Sequence, residues 1–471
     1  MRRNMIAAVQ QLPLQSAPSK PSRWPTLPLV VVLSLVVALS PLPFASNAEV
    51  PRYVIWSIAG CAAGYASLLA AGGLFSSTLL RKIALPGLFY GGSVAWMLLQ
   101  AGQWGGGISH PLWRETAEAI SIPVAGSISV NPSLTIEGAL DMLAYGIFGL
   151  VAVLVGSRQA DMKIVLYAGL AAAVCNGLFG IGNWLDGNRT LFGYATAYPG
   201  VVTGTFTNRN NFASYCGLWA IVACALAAHL ALNQLGAGRR ARIDLADWRF
   251  WILVATAIIL LSATALTLSR GGLLASLLGL AFFALALVRR GTRMRPRASI
   301  LLPVTGLVML IASISIAPLS DRLQKQGLQD YEREAVIEIL AEGIANRPLV
   351  GTGFGAFEES FRLVRDDRLG ISDKLFDKAH NLYLEFLFGL GLPGALSIFA
   401  AMLAICCQLW PGMRKRSWAN SVWPALGLAA ILLASIHSLV DFSFQIPAIA
   451  ICLATIVGFA LAQATSRRLK A

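Results

Sequence analysis

Twelve apolar stretches separated by short polar links leave this chain few folds to choose from. They run over residues 27–46, 53–71, 84–103, 137–156, 163–182, 211–232, 250–268, 273–288, 299–317, 383–407, 421–438 and 447–465. Each is near the roughly 20 residues that a membrane-crossing helix needs. In hydrocarbon every backbone polar group must be satisfied inside the protein, so such runs predict helices. The expectation is an all-α integral membrane protein of about 12 transmembrane helices. Composition points the same way, with 56% hydrophobic and 13% charged residues against about 25% charged in a soluble domain. That excludes an ordinary soluble enzyme, a disordered chain and a fibrous one. A net charge of +14 would suit a nucleic-acid binder. The basic residues instead cluster in links between apolar runs, so membrane lipids are the expected surroundings and no nucleic-acid partner is expected. The seven cysteines lie within apolar runs and read as small buried hydrophobes rather than a disulfide framework.

Charge also predicts orientation. With the N-terminus in the cytoplasm, 23 Arg and Lys fall on the inner side. Five (Arg52, Arg114, Arg189, Arg209 and Arg270) fall in short outer loops. That asymmetry obeys the positive-inside rule and puts both termini in the cytoplasm. The first apolar run reads as an uncleaved helix, because its polar lead is long and further spans follow. The predicted organisation is a tail over 1–26, nine spans over 27–317, a large outer loop over 318–379, three spans over 380–465 and a tail over 466–471. The large loop carries twelve of the 23 acidic residues. Within it Tyr331–Asn346 reads as a helix, with Val336, Ile337, Leu340 and Ile344 at helical spacing and Glu332, Arg333, Glu334, Glu338 and Glu342 elsewhere. Asn346-Arg347-Pro348 would end it, since the residue before proline avoids the α region. A place at the membrane surface suits such a helix. The outer loop 104–136 holds Trp104, His110, Pro111 and Trp113, aromatic anchors for a headgroup boundary. The loop 183–210 is polar and glycine-rich.

Charges near spans are costly and are the best pointers to function. Four outer positions stand out. Asn208-Arg209-Asn210 offers a guanidinium fork flanked by amides, suited either to a phosphate or to headgroup snorkelling. Ser269-Arg270-Gly271-Gly272 is a tight turn between two short spans, and there the functional reading is favoured. His380-Asn381, with Glu385 following, stands where the large loop re-enters the membrane. His380 reads either as a base for a hydroxyl or as a helix cap. His437 and Asp441 bracket the turn between the last two spans and read as a structural pair that orients it.

Gly351-Thr352-Gly353-Phe354-Gly355 lacks the strand–helix setting of a dinucleotide loop and reads as a glycine-rich turn near the bilayer. The chain has no HExxH, no CxxC pair and no GK[ST] loop, and its four histidines fall in four regions. No metal and no cofactor is expected.

Together these motifs resemble the O-antigen ligase/polymerase family. The resemblance rests on Pro348–Phe357, His380-Asn-Leu-Tyr-Leu-Glu385, Gly391-Leu-Pro-Gly394, Asn208-Arg209-Asn210 and Ser269-Arg270-Gly271, across roughly residues 200–450. It implies a multi-pass enzyme of the bacterial inner membrane, a metal-independent, inverting glycosyltransferase. Its donor would be an undecaprenyl-pyrophosphate-linked glycan on the periplasmic side. The acceptor would be another lipid-linked glycan in a polymerase, lipid A-core in a ligase, or a protein side chain. Ala395-Leu396 stands where lipid A-core ligases often carry a threonine pair, and His110–Trp113 and His437–Phe442 look more like exopolysaccharide polymerases. The favoured expectation is a polymerase of exopolysaccharide or O-antigen repeat units. Arg209 and Arg270, joined by Arg333, would bind pyrophosphate and His380 would activate the acceptor, with Asn208, Asn210, Asn381, Glu385, His437 and Asp441 in support. A lipid-linked glycan transporter is the competing class. It would be expected to show midplane charges and repeated halves, and the sequence has neither.

Overall fold

The computed structural model describes residues 24–74, 77–104, 107–236, 246–288, 327–369 and 376–465. The chain is an all-α integral membrane protein, and ten of its described helices are long and apolar enough to cross a membrane. These are α2 (Glu49–Ala71), α3 (Ser77–Ala101), α5 (Pro132–Val155), α6 (Gln159–Leu185), α7 (Arg209–Gly236), α8 (Trp248–Leu266), α9 (Arg270–Val288), α12 (Leu382–Lys415), α13 (Val422–His437, preceded by a 3-10 turn) and α14 (Pro447–Thr465). The run predicted over 299–317 lies outside the described residues.

The first run departs from its expected span. Its helix, α1, covers only Leu27–Leu39. Ser40-Pro41-Leu42-Pro43 follows, and a proline inside a helix removes one ladder bond and collides with the preceding turn. The chain then bends through Phe44, Ala45 and Ser46, all at positive φ.

Three helices form the centre of the bundle. Buried residues make up 83% of the apolar window of α14, 78% of that of α7 and 72% of that of α13, against 22% for α2. Within lipid, helices associate by close van der Waals packing, which small residues permit. Accordingly α14 buries Ala448, Ala450, Gly458, Ala460 and Ala462 against α5 and α13. Trp219, Tyr215 and Trp423 fill the centre beside α7 and α13.

Short elements lie outside the spans. Helix α4 (Pro111–Ile120) and a hairpin of β1 (Thr190–Leu191) with β2 (Tyr194–Ala195) occupy links read as loops from sequence. The large loop contains α10 (Gly327–Asn346), near its predicted bounds, and the shorter α11 (Phe357–Val364). Val336, Ile339, Leu340, Phe357, Phe361 and Phe388 form a small core between them and α12. Ile337, expected on that face, points outward at 45% exposure, and Ile339 takes its place.

Helix α12 breaks at Gly391 (φ 66°, ψ 178°). The carbonyls freed there are taken up from outside the helix. Phe388 O accepts from the Thr352 amide at 3.0 Å and Gly389 O from the Gly353 amide at 2.9 Å. Side chains of α3 complete the set, Gln100 Nε2 donating to Gly389 O at 2.8 Å and Trp96 Nε1 to Leu390 O at 2.7 Å. Gly351 (φ 68°) lets the turn 348–355 lie directly against this break. The Gly-rich motif is thus a plug for a broken helix. It ties the large loop to the first half of α12, at whose start His380 stands.

Candidate active site

The turn between α13 and α14, residues 437–442, gathers the candidate residues. Asp441 is 1% exposed and accepts from Asn210 Nδ2 at 2.9 Å and from the Ser443 amide at 2.9 Å. It also accepts the Ser443 hydroxyl. His380 Nδ1 lies 3.9 Å from Asp441 Oδ2, an electrostatic contact longer than a hydrogen bond. Burial alone would push the Asp441 carboxyl up. The neighbouring His380 and His437 imidazoles, with the bonds from Ser443 and Asn210, outweigh it and hold the carboxyl below its usual range.

His380 is neither on the helix nor its cap. It adopts φ 51° just before α12, and Asn381 is the cap, its Oδ1 accepting the Tyr383 and Leu384 amides at 3.1 Å each. The His380 ring rests edge-on against Phe442 at 5.1 Å, and its side chain is 39% exposed. Asn381 Nδ2 donates to Leu439 O at 3.1 Å, and the Leu382 amide to Ser438 O at 2.9 Å. Glu385, 1% exposed, folds back to accept the Ala379 amide at 3.1 Å and faces Lys378 Nζ at 3.6 Å. Its part is to hold the segment that delivers His380.

Arg209 opens α7 beside Asn210, which bonds Asp441. Asn208 Oδ1 accepts the Asn210 amide at 2.8 Å and shapes that turn. The Arg209 guanidinium lies 5.3 Å from the Tyr198 ring centre, a cation–π distance. Burial raises the Tyr198 phenol, the Arg209 charge opposes that, and Asp441 and Asp377 reinforce it.

Arg270 opens α9 and is exposed. Its turn is stapled by Thr267, which donates to Thr264 O at 2.6 Å and accepts the Ser269 amide at 3.1 Å. The next residue must be glycine. A Cβ on Gly271 would fall 2.7 Å from Val440 and 3.1 Å from the His437 ring. The starts of α7, α9 and α12 are therefore all pinned to one turn, each carrying one of Arg209, Arg270 and His380.

His437 and Asp441 do not bond each other. His437 is buried and its Nδ1 lies 2.5 Å from Ser214 Oγ on α7, so the two anchor the turn to different neighbours. Arg333 stands on α10, but its side chain lies outside the described residues. His229 belongs to the packing: it contacts Ala419 O at 3.0 Å and Asn233 at 2.9 Å, with Trp423 against its ring. Of the seven free cysteines only Cys216 and Cys452 are buried, and Cys61, Cys175 and Cys407 are exposed, against expectation.

One cluster was missed. Arg52 on α2 forks onto Asp141 at 2.8 Å and Glu137 at 3.1 Å on α5, and Trp56 Nε1 donates to Asp141 at 2.8 Å. Lys378 is near enough for its charge to act on Asp141. The i,i+4 spacing of Glu137 and Asp141 within an apolar run was the available signal.

An all-α, multi-pass membrane protein thus collects two arginines and a carboxylate-backed histidine around one turn. Residues 255–399 match the family model described as O-antigen ligase. Over that stretch, from α8 into α12, the chain is similar to the O-antigen ligase family, which supports an enzyme of the ligase or polymerase type acting on lipid-linked glycan. The match includes Arg270 and His380, while Arg209 and Asp441 fall outside it and are joined to it by the contacts above. No curated protein matches the chain.

Proposed function

We propose that the chain is an inner-membrane glycosyltransferase that takes glycan from undecaprenyl pyrophosphate at the periplasmic face and polymerises exopolysaccharide or O-antigen repeat units. The observation that carries this is the convergence of Arg209, Arg270 and His380 on the turn 437–442. Arg209 and Arg270 hold the donor pyrophosphate and neutralise its charge as it leaves. Preorganised cations at a developing charge are usually the largest catalytic contribution. His380 takes the proton of the acceptor hydroxyl, whose oxygen attacks the anomeric carbon on the face opposite the pyrophosphate. The bond from that carbon to the phosphate oxygen breaks, and the configuration inverts. Asp441 stabilises the imidazolium formed on His380, as the acid of a triad does. The positive charge comes from arginine, so the scheme requires no metal.

The description of the matched family favours a second reading, a ligase that moves glycan onto lipid A-core. Glycan analysis of a deletion strain separates the two. Single repeat units and no long chains identify a polymerase. Long chains held on the carrier identify a ligase. At equal membrane levels, Arg270→Ala should cut transfer by about 10²–10³ and His380→Ala by about 10²–10⁴. Normal glycan from both variants would overturn the catalytic reading and favour a transporter.

A further inference from the structure

Away from the turn 437–442, a cavity of about 280 Å³ lies between the start of α4 and the two helices of the large loop. His110, Asn346, Arg347, Ser360 and Phe388 line it. Its volume is just under the usual span of ligand pockets, about 300–1,000 Å³, which suits one ring rather than an oligosaccharide or a lipid chain.

The lining is mostly apolar, with a few donors set in it. Arg347 is half-buried and forms no ion pair among the described residues. Its Nε donates to Gly351 O and its Nη2 to Ile108 O, both at 3.1 Å. Burial without a carboxylate lowers its pKa. His110 Nδ1 accepts the Leu112 amide at 3.2 Å, which leaves the proton on Nε2. Burial and the Arg347 charge push the His110 pKa down to about 4, so it is a neutral donor at working pH. No carboxylate lines the cavity.

We propose that this cavity binds one sugar residue bearing a carboxylate, with Arg347 and Asn346 on the carboxylate, His110 on a ring hydroxyl and Phe388 as the apolar wall. The assignment to a sugar rests on the reading of the chain as a glycan enzyme. The cavity would then hold an acidic unit of the substrate chain apart from the reacting bond and select for it.

The test is binding of methyl β-D-glucuronide to the full-length protein in detergent, with methyl β-D-glucoside and inorganic phosphate as the other probes. Glucuronide should bind at least ten-fold tighter than glucoside or phosphate. His110→Ala should weaken glucuronide binding about five-fold, the worth of one ordinary hydrogen bond. Arg347→Gln should bring glucuronide down to the glucoside level. Equal binding of glucuronide and glucoside, phosphate binding as tight as glucuronide, or a His110→Ala variant with unchanged affinity would each overturn the proposal. Arg270→Ala should keep glucuronide binding while losing transfer. Intact binding alongside normal glycan from Arg270→Ala and His380→Ala would therefore sink the catalytic reading alone, and lost binding alongside intact transfer would sink this one alone.

Discussion

Asp441 joins the buried interior to the exposed site. Its carboxylate is out of water, yet His380, His437, Ser443 and Asn210 surround it with partners. Removing the charge leaves those partners unmatched, and an unsatisfied buried group costs about 1–3 kcal/mol. Asp441→Asn should therefore melt earlier at neutral pH. The folded carboxyl titrates below its unfolded value of about 3.9, so its stabilisation is complete above that value. It is lost as pH falls through the lower folded pKa. Melting curves between pH 3 and 7 should show the gap between wild type and Asp441→Asn narrowing at the acid end. A constant gap would mean that the carboxylate charge contributes nothing. Arg209, Arg270 and His380 were legible in the sequence because charge beside an apolar run is conspicuous. The pairing of Arg52 with Asp141 was not, because spacing along the chain does not report a contact across 89 residues.

Among the elements, the break in α12 is the one most open to a single change. Gly391 sits in a φ/ψ region that is essentially glycine's alone, where strain costs about 1–3 kcal/mol. A Cβ there would also meet Leu349 O at 2.5 Å. Gly391→Ala should lower the melting temperature and loosen the turn 348–355. Faster amide exchange at Thr352 and Gly353, whose hydrogen bonds close the break, would register that loosening. Unchanged exchange would mean that the break does not hold the loop. Long helices were readable as independent apolar units near their observed bounds. Helices α4 and α11 are amphipathic but only 10 and 8 residues long, shorter than the window over which a helical period stands out in a sequence.

At the scale of the whole molecule, sidedness follows from basic links rather than from any single contact. The reading that both termini are cytoplasmic puts α4 outside and the end of α12 inside. In a variant stripped of native cysteines, a cysteine replacing Glu118 should react with a membrane-impermeant maleimide in intact spheroplasts. A cysteine replacing Lys415 should react only after lysis. The reverse pattern would invert the topology and move the site to the cytoplasm. Glu118 suits the purpose, with a side chain 72% exposed.

The break in α12 also separates two inheritable parts. His380 rides with the large loop and the first half of the helix, while Arg209 and Arg270 start helices of the bundle proper. A cassette from α10 to the break could therefore be exchanged between homologues without shifting the arginines. Recombination at Gly391 would exchange the loop and His380 together and leave the two arginines where they stand.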